Sequence, residues 1–151
     1  MVLKWNLSLV ESNLKVTQIH GILFTNDGKI LLKLEDGKYS FIGGKPEKYE
    51  RTYDETLIRE VLEEVNTTIK NIVYLGYQEV DEENGIPPYA QVRMLAIIED
   101  ILDIKPDPDT NKIYERVLVS PEEAIDLLGW GKMAEIQVKC AVSAFNKLNS
   151  K

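Results

Sequence analysis

Three glutamates, at positions 60, 63 and 64, are the residues of this chain best suited to chemistry. In an α-helix each residue advances by about 100°, so Glu60, Glu63 and Glu64 project from one face, within about 100° of one another. Carboxylates gathered this closely repel, and in a partly buried site the repulsion raises at least one pKa unless cations are bound. Mg²⁺ is the natural guest, because it takes hard oxygen ligands and leaves positions for phosphate oxygens and an attacking water. Mn²⁺ suits the same donors. An acidic run on a helix is ordinarily a solvated surface face, so the surroundings of these three residues decide the reading.

A helix from Asp54 to Val65 must position them. Leu57, Val61 and Val65 recur at helical spacing with Ile58 and Leu62 beside them, which turns one side inward and leaves the acids opposite or beside that stripe. Thr52 with Glu55 fits a capping box at the start, and Asn66 tolerates the left-handed conformation that ends a helix. Before the helix, Val16 to Thr25 and Ile30 to Leu34 flank the turn Asn26-Asp27-Gly28 as a hairpin, and Tyr39 to Ile42 is a short strand running into a Gly43-Gly44 loop. After it come strands from Ile69 to Val80, Tyr89 to Glu99 and Tyr114 to Val119. Ser120 and Pro121 then open a helix through Leu128, Gly129-Trp130-Gly131 interrupts it, and Ile136, Cys140, Val142, Phe145 and Leu148 make a C-terminal amphipathic helix. No repeat or linker divides the chain, so residues 1–151 read as a single α+β domain with a mixed β-sheet between helices.

The segment from Gly43-Gly44 through Glu50 to Arg59-Glu60-Val61-Leu62-Glu63-Glu64-Val65-Asn66 resembles the box of the Nudix hydrolase family. The family pattern is glycine, five residues, glutamate, seven residues, Arg-Glu, an aliphatic residue, any residue, Glu-Glu, any residue and glycine. Here eight residues rather than seven separate Glu50 from Arg59, and Asn66 stands where the last glycine would be. The resemblance spans residues 16–130 in order of elements and implies an α/β/α sandwich. It also implies metal-dependent hydrolysis of a nucleoside diphosphate linked to a group X, giving a nucleoside monophosphate and phospho-X.

By the same resemblance, Glu60, Glu63, Glu64 and the main-chain carbonyl of Gly43 are metal ligands, and Glu63, Glu64 or Glu115 is the base that activates water. Arg59 and Glu50 position the acids, and the extra residue before Arg59 puts the Glu50 contact at issue. Gly44, Lys45 and Arg93 are candidates for the substrate. On Tyr89 to Ile97, alternation groups Tyr89, Gln91 and Arg93 on one face, suited either to a cleft or to a wet sheet edge. Trp130 reads as a structural aromatic, and His20 and Cys140 as packing residues.

Composition narrows the alternatives. One cysteine and one histidine exclude an intrachain disulfide, a cysteine-rich zinc site and a two-histidine metal site, and they fit a reducing cytoplasm. A net charge of −7 has the wrong sign for general nucleic-acid binding, but bound cations invert the local field and permit a nucleotide-type substrate. No apolar run is long enough to span a bilayer and the N-terminus lacks a signal pattern. A homodimer is compatible with the sequence. Gly43-Gly44-Lys45 is not a P-loop. The rival readings are a Nudix module that binds nucleotide or a protein partner without turnover and, weaker, an isoprenoid diphosphate isomerase, for which Cys140 is misplaced.

Overall fold

The central strands carry continuous buried runs, Ile22 to Phe24 and Met94 to Ile98, so both faces of the sheet are apolar and each needs a cover. The computed structural model describes residues 1–150. Its strands are β1 (Val2–Asn6), β2 (Lys15–Phe24), β3 (Ile30–Glu35), β4 (Lys38–Ser40), β5 (Ile42–Gly44), β6 (Thr67–Asp81), β7 (Tyr89–Ile101) and β8 (Glu115–Val119). Helix α1 (Tyr53–Val65) follows β5, while α2 (Pro121–Leu128) and α3 (Lys132–Asn149) close the chain. The sheet runs β1-β6-β7-β2-β3-β4, with β5 paired to β2 and β8 to β3. It is mixed, because β2 and β7 are parallel and the other pairs antiparallel.

On one face Ile19, Leu23, Val92 and Met94 bury Leu57, Val61 and Val65 of α1. On the other, Ile22, Phe24, Leu95 and Ile97 meet Ala134, Val138, Ala141 and Phe145 of α3 and Ala124 and Leu128 of α2. The result is the α/β/α sandwich with its mixed sheet. Leu57 and Val61 are 0% exposed and Val65 1%, so each contributes roughly 1.5–3 kcal/mol of burial.

Several expectations are corrected. Ile58 and Leu62 are exposed, and the inward stripe is completed instead by Thr56 and Glu64. Only half of the capping box at α1 forms: Thr52 accepts from the Glu55 amide at 3.2 Å, but the Glu55 carboxylate accepts from the Arg51 amide at 2.7 Å. Both halves form around Ser120 and Glu123 at α2. The strand expected from Tyr39 to Ile42 is two strands, because the chain leaves β3 at Ser40 and joins β2 at Ile42. Gly43 and Gly44 are strand residues rather than a loop. A Cβ at Gly43 would strike the Ile19 carbonyl, so only glycine fits this closely against β2. Strand β1 carries too weak a pattern to be read from sequence; it gains its ladder by pairing with β6.

Candidate active site

Glu60, Glu63 and Glu64 stand along the edge of α1 that faces β5 and the β7–β8 connection. Glu64 is the most buried, at 8% exposed; one oxygen accepts from the Gly43 amide at 3.1 Å and the other from Lys33 Nζ at 2.6 Å. The Glu60 carboxylate lies against Gly44, where an added Cβ would come within 2.6 Å of it. Glu63 meets Asp107 and Asp109, and oxygens of these three acids all lie within 4.8 Å of one another. Five carboxylates thus converge from two segments.

Electrostatics follows from that geometry. Burial first, then repulsion from Glu64 and Glu63, pushes Glu60 up to about 7 against the pull of Arg59. Burial also raises Glu63, with Asp109 and Asp107 adding to it, and raises Glu64 despite the opposing Lys33 ammonium. Such a site favours multivalent cations, whose charge removes the repulsion.

The contact placed at issue by the longer loop is intact. Glu50, with its side chain 3% exposed, accepts from Arg59 Nε at 2.7 Å and Nη2 at 3.1 Å, from Thr56 Oγ1 at 2.8 Å and from the Glu47 amide at 2.8 Å. The Arg59 hydrogen bonds, outweighing burial, hold its carboxyl down at about 2. Pinned in this way, Arg59 turns Nη1 to Glu60 at 2.8 Å and to Glu63 at 3.2 Å. Helix α1 is unbroken from Tyr53 to Val65, so the extra residue is absorbed before the helix. Lys45 lends its carbonyl to Arg59 Nη2 at 3.0 Å while its side chain is exposed.

Asn66 ends the helix at φ 48° and ψ 50°, the conformation its position demands. Its side chain does what glycine cannot: Oδ1 accepts from the Lys105 amide at 2.8 Å and Nδ2 donates to the Leu62 carbonyl at 3.1 Å. Lys105 precedes Asp107 by two residues, so Asn66 ties the second acidic segment to α1. Arg116 closes the same corner, donating to Val65 O at 2.7 Å and Leu102 O at 2.6 Å, where a cation also complements the helix C-terminus.

Glu115 is not brought to this cluster. It is exposed and opposite Leu34, and the strand alternation that sends Arg116 to α1 sends Glu115 to the other face. Arg93 makes no hydrogen bond or ion pair with the acids among the described residues. It lines a separate cleft of about 340 Å³ together with His20, Phe41, Gln78, Gln91 and Trp130, on the face covered by α3. Of the two readings of the Tyr89, Gln91, Arg93 face, the cleft is the one observed. There His20 is pushed well below its ordinary value, by burial and then by Arg93 and Lys33, and Arg93 is lowered by burial to about 10. Trp130 packs edge-on against Phe41, with centroids 5.3 Å apart. Lys33, Asp107, Asp109 and Gln137 went unread in the sequence. A lysine among the buried residues of β3 is the one local signal that could have drawn attention to Lys33.

The family model that matches this chain is the NUDIX domain, over residues 15–138. The chain belongs to the Nudix family. Membership makes it a hydrolase of pyrophosphate bonds. Among solved structures, it resembles the Bacillus subtilis pyrophosphohydrolase BsRppH at 22% identity and TM-score 0.74, covering 94% of this chain and 90% of that one. A NUDIX hydrolase from Nitrosomonas europaea gives 17% and 0.65, covering 86% and 90%. A MutT structure from work on Aliivibrio salmonicida and Vibrio cholerae gives 18% and 0.60, covering 85% and 96%. These likenesses concern the fold. No curated protein matches the chain by sequence. Among the described residues, no helix is long and apolar enough to cross a membrane.

Proposed function

We propose that this Nudix protein hydrolyses the diphosphate linkage of a nucleoside diphosphate joined to a group X, with Mg²⁺ or Mn²⁺ as its cofactor. The observation that carries the reading is the buried Glu64, fixed by Gly43 and Lys33 and flanked by Glu60 and Glu63. The donors fit a hard divalent ion, being carboxylate oxygens with no sulfur or imidazole among them. Glu60, Glu63 and Glu64, with the Gly43 carbonyl, would hold it, and Asp107 and Asp109 extend the set beside Glu63. Such an ion, when bound, withdraws charge from phosphate oxygens and acidifies bound water.

The chain's own residues do the rest. Arg59, pinned by Glu50, keeps Glu60 and Glu63 from splaying apart. Lys33, which neutralises Glu64 here, is placed to meet a phosphate oxygen. Water attacks one phosphorus, the bridging P–O bond breaks, and a carboxylate among Glu63 and Glu64 takes the proton; the products are a nucleoside monophosphate and phospho-X. Among the described residues strand β5 pairs with β2 alone, so its outer side offers a path from the acids to the cleft around Arg93, where the remainder of a nucleotide would lie.

The test is product release across modified nucleoside triphosphates, ADP-ribose, nucleotide sugars and dinucleoside polyphosphates, with either metal, beside Glu64→Gln. Metal-dependent turnover should fall by at least about 100-fold in the variant. Equal activity of the two proteins would remove Glu64 from the site. Absence of turnover with retained nucleotide binding would establish a binding module instead.

A further inference from the structure

The cleft around Arg93 holds a hydrogen-bond chain whose direction is fixed by its first member. Arginine only donates, so Gln137 must turn Oε1 to Arg93 Nε, at 2.8 Å. Gln137 Nε2 then donates to Gln78 Oε1 at 2.9 Å, and Gln78 Nε2 donates to Gln91 Oε1 at 3.1 Å. Every amide oxygen in the chain is consumed, and the group left over at its end is the Gln91 amide N–H. The same logic applies on the other side of Arg93. Nη1 lies 3.0 Å from His20 Nδ1, which must accept, so the imidazole proton sits on Nε2.

What remains unpaired is uniform in kind. Arg93 is 2% exposed and, among the described residues, has no carboxylate partner, and its Nη2 makes no hydrogen bond; nor do His20 Nε2 or Gln91 Nε2. Among the described residues no fully enclosed side-chain nitrogen or oxygen lacks a partner, so these three nitrogens are reachable, and their residues line the cleft. They lie within a wall that includes Phe41 and Trp130, with the Arg93 guanidinium carbon 5.8 and 5.9 Å from the two ring centroids. Beside these three donors Trp130, 38% exposed, offers an aromatic surface among the aliphatic side chains of Leu3, Val80 and Met133.

We infer that this cleft is a base-recognition site that takes a 6-oxopurine, guanine or hypoxanthine, and rejects adenine. The inference rests on the nucleotide reading above and deepens it. The O6 and N7 edge of a 6-oxopurine presents two acceptors to Arg93 Nη2 and His20 Nε2, whereas adenine would turn its N6 amine toward an N–H that has no lone pair. A site built from committed donors rejects the mismatched edge strongly, because its buried polar groups are left without partners. Phosphate also offers only acceptors, but it would leave the exposed ring of Trp130 uncovered.

Equilibrium binding of nucleoside monophosphates to the metal-free protein tests this without requiring turnover. GMP and IMP should bind at least about tenfold more tightly than AMP, and 7-deaza-GMP, which lacks the N7 acceptor, should lose about fivefold or more relative to GMP. Arg93→Met should erase the preference, with a thermal melt confirming that the variant folds; the ligand series decides the question should it not. AMP binding within twofold of GMP, no monophosphate binding, or displacement of GMP by inorganic phosphate at equal affinity would each overturn the inference. A protein that passes this test but hydrolyses nothing would lose the proposed reaction and keep the site.

Discussion

Replacing Glu50 by glutamine tests how the acids are held, because it removes charge and keeps shape. Glu50 receives four hydrogen bonds, all from donors, and an amide can accept only through its oxygen. Whichever way the amide turns, an N–H₂ group faces Arg59, Thr56 or Glu47. The size of the effect follows from the carboxyl's displacement from 4.5 to about 2, which corresponds to about 3 kcal/mol of folding stability. Because the folded value is depressed, that contribution is fully present above pH 4.5 and is lost as pH falls toward 2. For a chain of this length the variant should melt roughly 6–12 °C lower at pH 7, and the gap should close as pH approaches about 2. Calorimetric melts of both proteins in a chelator, from pH 7 downward, provide the measurement. A gap below about 2 °C at neutral pH, or one that persists unchanged at the lowest pH, would show that the Glu50–Arg59 pairing does not carry this stability. Freed from Glu50, Arg59 should also hold Glu60 and Glu63 less firmly, so the metal concentration for half-maximal turnover should rise about 10-fold.

Glu60 has the opposite sign: its carboxyl is raised to about 7, so on its account the metal-free protein loses stability as pH climbs from 4.5 to 7. The increase in melting temperature on adding Mg²⁺ should therefore grow between pH 5 and 8, and Glu60→Gln should flatten that growth; an equal Mg²⁺ effect at both ends would contradict the acid cluster as the metal's site. Gly44→Ala should leave the melting temperature within a few degrees while weakening Mg²⁺ binding about 10-fold, because the atoms nearest its Cβ are the end of the Glu60 side chain rather than backbone. Gly43→Ala should instead cost more than about 2 kcal/mol in a denaturant melt, since the obstacle is the Ile19 backbone. Asn66→Gly should preserve the end of α1 yet loosen the Lys105–Asp109 segment, seen as faster amide exchange there with the helix unchanged.

The helix and its three glutamates were legible because helical periodicity and metal chemistry impose short-range spacing on a single element. The same holds for Ser120 and Pro121, a cap and a first-turn proline that are adjacent in the chain. Lys33, Asp107 and Asp109 were not legible, because what matters about them is contact with α1 across the fold, and no local pattern encodes it. The loop length before Arg59 could be counted but its outcome could not be read: whether Glu50 still reached Arg59 depended on a backbone path that composition leaves open. Glu115 shows the converse, since the motif suggests its role and a one-residue alternation on β8 denies it the right face. Arg93 was placed on the correct side of β7, yet its glutamine neighbours come from three separate segments.

Strand β5 and the residue before it have a consequence for how this protein can change. Phe41 turns to the cleft, Ile42 to the opposite core, and Gly43 reaches Glu64 through its main chain. On the readings proposed above, base recognition and hydrolysis would fall on different sides of one ribbon, joined by two peptide links. On those readings Trp130, exposed at the cleft, is the side chain there that can be exchanged at least cost, whereas Phe41 is part of the core. The part that would choose is then free to change independently of the part that would react.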